Sequence, residues 1–98
     1  MVRKTIKIMT LCGFGLGTSL VLKMTLDTVL DAHGIVAETF CSDADTALGQ
    51  QYDLVVTSRE LAGMFERVPQ PVVVISNFLN AEEVGDKVIP VILDLMRD

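Results

Sequence analysis

Ninety-eight residues, half of them apolar, suffice for one hydrophobic core and not for two, so the chain reads as a single domain over residues 1–98. A net charge of −5, with no basic cluster larger than Arg3-Lys4, argues against a nucleic-acid partner. Two cysteines are too few for the disulfide framework of a secreted mini-domain, and no apolar run approaches the roughly 18 residues of a spanning helix. The expected setting is a reducing cytoplasm, without direct membrane insertion. Arg3 and Lys4 ahead of an apolar run imitate a secretory signal, but Cys12 and the glycines after it interrupt the run and no small-residue cleavage site follows.

Thr5 to Leu11 is a short β-branched and apolar run that predicts the first strand. From about Gly17 to His33, Leu22, Leu26, Val29 and Leu30 recur at helical spacing, and Gly34 supplies the stop. Ile35 to Cys41 alternates as a second strand, with Glu38 marking it as an edge. Ser42 or Asp43 is placed to cap a short helix ending near Leu48. The compact run Leu54-Val55-Val56, within Asp53 to Thr57, predicts a third strand buried on both faces. Ser58 is placed to cap a weak helix over Arg59 to Phe65, and Pro69 and Pro71 lead into a fourth strand, Val72 to Ile75, at an edge. Asn80 with Glu83 predicts a capping box for the last helix, which runs to about Met96 with a kink at Pro90.

Strand and helix alternate four times, which predicts an α/β fold with a four-stranded parallel sheet and helices on both faces, a three-layer sandwich of Rossmann or flavodoxin-like type. The order 2-1-3-4 puts both suspected edge strands outside and sets the turn after the first strand at the switch point, where ligands bind in open α/β sheets.

That turn is Cys12-Gly13-Phe14-Gly15-Leu16-Gly17-Thr18-Ser19. Three glycines at alternate positions let the backbone bend and bring its N–H groups close to a bound group. Where the loop enters a helix, unpaired N–H groups and the dipole attract an anion. The same donors favour the thiolate of Cys12. The pattern is a nucleophile inside an anion cradle.

Several other chemistries fit poorly. His33, the single histidine, lies about 24 Å from Cys12 along the helix, too far for a Cys–His pair, and reads as a helix-end residue. Cys12, Cys41 and His33 lack zinc-site spacing, and Asp43-Ala44-Asp45 lacks the rest of a calcium loop, so no metal and no cofactor is expected. Gly13-x-Gly15-x-Gly17 departs from the dinucleotide fingerprint and carries no phosphate-binding lysine. A phosphoryl group on Cys12 fits, in a phosphatase or in a carrier. Thr18 stands where a phosphatase of the C-x5-R kind has its arginine clamp, which weakens the phosphatase reading.

The stretch from Lys7 through Ser19, followed by Leu20-Val21-Leu22-Lys23-Met24, resembles the enzyme IIB component of the bacterial sugar phosphotransferase system (PTS). Within that system it most resembles the ascorbate-type branch, with the galactitol branch as the nearer rival. The resemblance implies that Cys12 accepts a phosphoryl group from a histidine of a IIA partner. It then gives the group to a sugar, L-ascorbate or a relative, held by a IIC membrane permease. Gly13, Phe14, Gly15, Leu16, Gly17, Thr18 and Ser19 would hold the phosphate through backbone N–H groups, with the Thr18 and Ser19 hydroxyls as added donors or as plain helix caps.

Phe14 and Leu16 are partner contacts or packing under the loop. Thr57, Ser58 and Arg59 follow the third strand onto the same rim and are either phosphate or partner contacts, or a cap and a solvated arginine. Cys41 is placed on that rim too, either as a small buried apolar residue or as a resolving thiol for Cys12. The rival functions are a small cysteine-dependent phosphatase and a non-catalytic module that senses phosphorylation.

Overall fold

A computed structural model describes residues 5–11 and 16–96. The elements are β1 (Ile6–Leu11), α1 (Leu16–Ala32), β2 (Ala37–Cys41), a 3-10 turn (Ala47–Gly49), β3 (Leu54–Thr57), α2 (Arg59–Ala62) continuing as a 3-10 turn (Gly63–Phe65), β4 (Val72–Val74) and α3 (Ala81–Met96). The strands form one parallel sheet in the order β2-β1-β3-β4, as the alternation of elements predicts.

The two inner strands separate the core into two layers by side-chain alternation. Ile6 and Ile8 of β1 and Leu54 and Val56 of β3 face α1 and α3, where they meet Leu22, Leu26, Val84, Val88 and Ile92. Met9, Leu11 and Val55 point to the opposite face. There only short helical turns cover the sheet, with Ala47, Tyr52 and Phe65 filling the space. The Tyr52 and Phe65 rings meet edge to face at 6.3 Å. β3 is buried along its whole length, which explains why its run shows no polar alternation.

α1 ends as its sequence predicts. Gly34 has φ +67°, its N–H bonds the Asp31 carbonyl, and the Ile35 N–H returns to the Leu30 carbonyl. This is a Schellman closure, which a residue with a Cβ adopts only under strain. It also moves the start of β2 from the expected Ile35 to Ala37, because the Ile35 amide is spent on the helix.

Three other expectations are corrected. The helix after Ser42 shrinks to the 3-10 turn, because Asp43 Oδ1 accepts from both the Thr46 amide and the Thr46 hydroxyl, closing a local turn in place of a helix. The capping box of α3 is half formed. Asn80 Oδ1 accepts from the Glu83 amide, but the Glu83 carboxylate turns to the amides of Ser76 and Asn77. β4 ends at Val74, although the Ile75 amide still donates to the Thr57 carbonyl. α3 includes Pro90, at an exposed position, within a single helix.

Candidate functional site

The site is set by how strand ends line up. Leu11 pairs with Thr57 and Thr57 with Val74, so β1, β3 and β4 finish on one row, with Thr10 and Cys41 paired one row below. Past that row the chain continues as Cys12 after β1, Ser58 after β3 and Ile75 after β4. The crossover from β1 to β2 carries α1 on one face, and the connection from β3 to β4 packs Leu61, Met64 and Phe65 on the other. Connections that leave in opposite directions open a crevice between β1 and β3, and open parallel sheets bind ligands there.

Cys12, Gly13, Phe14 and Gly15 lie outside the described residues. Leu16, Gly17, Thr18 and Ser19 form the first turn of α1. The first turn of a helix has backbone N–H groups without intrahelical partners, and over 17 residues the dipole adds a partial positive charge at that end. Thr18 and Ser19 are the third and fourth residues of the helix. Lys23, two turns into α1, forms an i,i+4 ion pair with Asp27 at 2.8 Å. That contact raises the lysine's pKa.

Thr57 and Ser58 are both buried, and among the described residues the Thr57 Oγ1 and Ser58 Oγ atoms have no hydrogen-bond partner. Ser58 stands ahead of α2 with extended backbone, yet its side chain makes no cap bond, which corrects the capping expectation. Arg59 is exposed and forms no ion pair among the described residues. Ser58 and Arg59, but not Thr57, border a cleft of about 430 Å³ at the ends of β3 and β4, lined also by Glu60, Ser76, Asn77 and Phe78 over Ile75. Sequence reasoning missed Ser76, Asn77 and Phe78. The rule that picked out Thr57, Ser58 and Arg59, polar residues directly after a buried strand, picks out Ser76 and Asn77 as well.

The far wall of the cleft is held by Glu83. Its carboxylate accepts from the Ser76 amide at 2.8 Å and the Asn77 amide at 3.0 Å, and it pairs with Lys87 at 2.7 Å. The lysine bond, followed by that of Ser76, holds the Glu83 pKa down at about 2. Lys87 also reaches the Val74 carbonyl, so one ion pair ties α3 to the end of β4.

Two residues weighed from sequence sit apart from this rim or take bland roles. His33 is at the opposite end of α1, where its Nδ1–H donates to the Val29 carbonyl at 2.9 Å. Cys41 is half-buried at the end of β2, and its Sγ accepts from the Thr10 hydroxyl at 3.5 Å. A link from Cys41 to Cys12 falls outside the described residues.

A four-stranded parallel sheet in the order β2-β1-β3-β4, with a cysteine-led, glycine-rich sequence between its first strand and first helix, puts the chain in the class of small flavodoxin-like α/β domains. Within that class, a family model described as "PTS system, Lactose/Cellobiose specific IIB subunit" matches residues 7–88, and the chain belongs to this family of phosphotransferase-system IIB subunits. Among solved structures it is similar to the lactose-specific IIB component domain of the phosphoenolpyruvate:carbohydrate phosphotransferase system from Streptococcus pneumoniae. The TM-score is 0.60 at 17% identity, covering 94% of this chain and 95% of that one. At that identity the likeness speaks for the fold. No curated protein sequence matches the chain. The ascorbate-type branch to which the loop motif points finds no support in either match, and neither do the phosphatase and sensor readings.

Proposed function

We propose that the chain is the phosphocarrier of a sugar phosphotransferase system and that Cys12 is its phosphoacceptor. The observation that supports this reading is that Cys12 follows directly in sequence on β1, one of the two strands at the switch point, inside the stretch that the family model matches. The Cys12 thiolate attacks the phosphorus of a phosphohistidine on the IIA partner. The P–S bond forms as the P–N bond breaks, and the leaving imidazole takes up a proton. A sugar hydroxyl held by the IIC permease then attacks the same phosphorus. The P–O bond forms, the P–S bond breaks, the thiolate is regenerated, and the hydroxyl proton passes to a base. Backbone N–H groups of Gly13 to Ser19 hold the equatorial oxygens in both steps. The place of action is the cytoplasmic face, with no cofactor and no metal.

Two observations bear on the sugar. The Cys12–Ser19 loop with Lys23-Met24 resembles the ascorbate type. The description of the family and the similar solved structure name lactose and cellobiose. Incubation with a IIA-containing phosphate relay and intact-mass measurement tests the carrier: one phosphoryl group is gained on the native protein and none on Cys12→Ser. Relay into membranes bearing an ascorbate permease or a lactose or cellobiose permease then decides the sugar.

A further inference from the structure

The end of β3 carries two hydroxyls, on Thr57 and Ser58, that are buried and have no hydrogen-bond partner among the described residues. A buried hydroxyl left unpaired loses its bonds to water and gains none in return, which destabilises the fold. The fold draws no use from Ser58's: the amides of Leu61 and Ala62 are satisfied by the Ser58 carbonyl, and the side chain caps nothing. Unpaired buried groups that persist in a native structure call for a reason, and a ligand is one.

Ser58 lines the cleft of about 430 Å³ at the ends of β3 and β4, next to Arg59, whose guanidinium has no ion pair among the described residues. The amides of Ser76 and Asn77 are not available to a ligand, because Glu83 holds them. Asn77 Oδ1 accepts from the Leu79 amide, which leaves its side-chain NH2 as a donor. Glu60 brings one carboxylate to the rim and sets a limit on how much negative charge the cleft takes. α2, four residues long, adds no dipole of consequence, so side chains alone supply the donors.

We propose that this cleft is an oxyanion subsite for a phosphoryl-type ligand, with Ser58 Oγ and the Arg59 guanidinium as its principal donors. An oxyanion accepts the hydrogen bond that Ser58 lacks and matches the planar fork of arginine. The ligand has two possible sources, a phosphoryl group in transit through the carrier site or free phosphate. The first of these rests on the phosphocarrier reading; the subsite itself does not.

The experiment is a titration of inorganic phosphate into the full chain, in native and Cys12→Ser forms, followed by the NMR signals of the Ser58 amide and the Arg59 Nε–H. Both signals move saturably in both proteins. Binding weakens about tenfold in Ser58→Ala and in Arg59→Gln, the loss of one charge-assisted bond, and Ser58→Thr restores it. Melting of Ser58→Ala is unchanged or raised, since an unpaired hydroxyl is removed. Phosphorylation of the native protein through a IIA relay separates the sources: signals that move without added phosphate, with later phosphate excluded, assign the group in transit, and continued phosphate binding assigns the free ion. Both support the subsite. Phosphate that leaves the Ser58 and Arg59 signals still, binding unaltered by Ser58→Ala, or a lowered melting temperature in that variant overturns it. A relay that fails to phosphorylate Cys12 while phosphate still binds the cleft overturns the carrier reading and leaves the subsite standing.

Discussion

Leu11 and Thr57 are partners on the last rung of the ladder between β1 and β3. Beyond that rung the chain turns toward β2 on one side and toward β4 on the other. Ser58, the residue after Thr57, is therefore the first of the connection toward β4, and Cys12 is the residue that follows Leu11 in the sequence. This rung relates the loop that the sequence singles out to the cleft that the structure reveals.

Cys12→Ser is expected to lower phosphoryl transfer by at least about a thousandfold, because a serine hydroxyl near neutral pH lacks the ionised form that makes a thiol nucleophilic. The swap preserves size, so far-UV circular dichroism and the melting temperature stay close to native. Relay to sugar at the native rate in the serine protein would falsify the assignment of the nucleophile.

Glu83 confers a specific acid sensitivity. Its folded pKa of about 2 lies below the ordinary value of 4.5, so its contribution is fully present above about pH 5 and is lost as pH falls from there through 2. Glu83→Gln is expected to cost about 1 kcal/mol at neutral pH, screening by solvent included, and to flatten the stability profile between pH 5 and 2. Urea midpoints at several pH values check it; parallel profiles for the two proteins would show that the Lys87–Glu83 pair adds nothing to the fold.

Asp27 ties an edge strand to a helix. Its Oδ1 accepts from the Thr39 hydroxyl of β2 at 2.7 Å and its Oδ2 pairs with Lys23 at 2.8 Å. Asp27→Asn keeps an acceptor for Thr39 and loses the exposed ion pair, a cost of about 0.5 kcal/mol, whereas Asp27→Ala loses both, for about 1.5 kcal/mol. Hydrogen exchange along Ala37–Cys41 should speed up in the alanine variant alone. Equal exchange in the two would assign the tether to packing.

Gly34→Ala isolates a backbone effect. At φ +67° no neighbouring atom of the described residues stands within 4 Å of the position a Cβ would take, so the expected loss of about 1 kcal/mol comes from the left-handed conformation. Gly34→Asn should lose less, since asparagine tolerates that region better. Thermal melts of the three proteins decide it; an alanine variant as stable as native would mean that the helix end rearranges at no cost.

By itself the sequence determined the order of elements, the sheet order β2-β1-β3-β4, the inner position of β3 and the Gly34 stop. Each rests on local chemistry or on the rule that parallel neighbours need crossovers: uninterrupted apolar residues at 54–56, a glycine after the last helical turn, and strand–helix alternation. It also singled out the Cys12–Ser19 motif, because nucleophile, glycines and helix start are contiguous in the chain. The partners of Glu83 and the isolation of the Thr57 and Ser58 hydroxyls were decided only by tertiary structure. Glu83 at a helix start reads locally as half of a capping box, and only the approach of the β4–α3 connection supplies the Ser76 and Asn77 amides that draw it away. Ser58 before a short helix reads locally as a cap. Whether a hydroxyl is bonded or stranded depends on what packs around it, and at the end of β3 those neighbours come from strands distant in sequence.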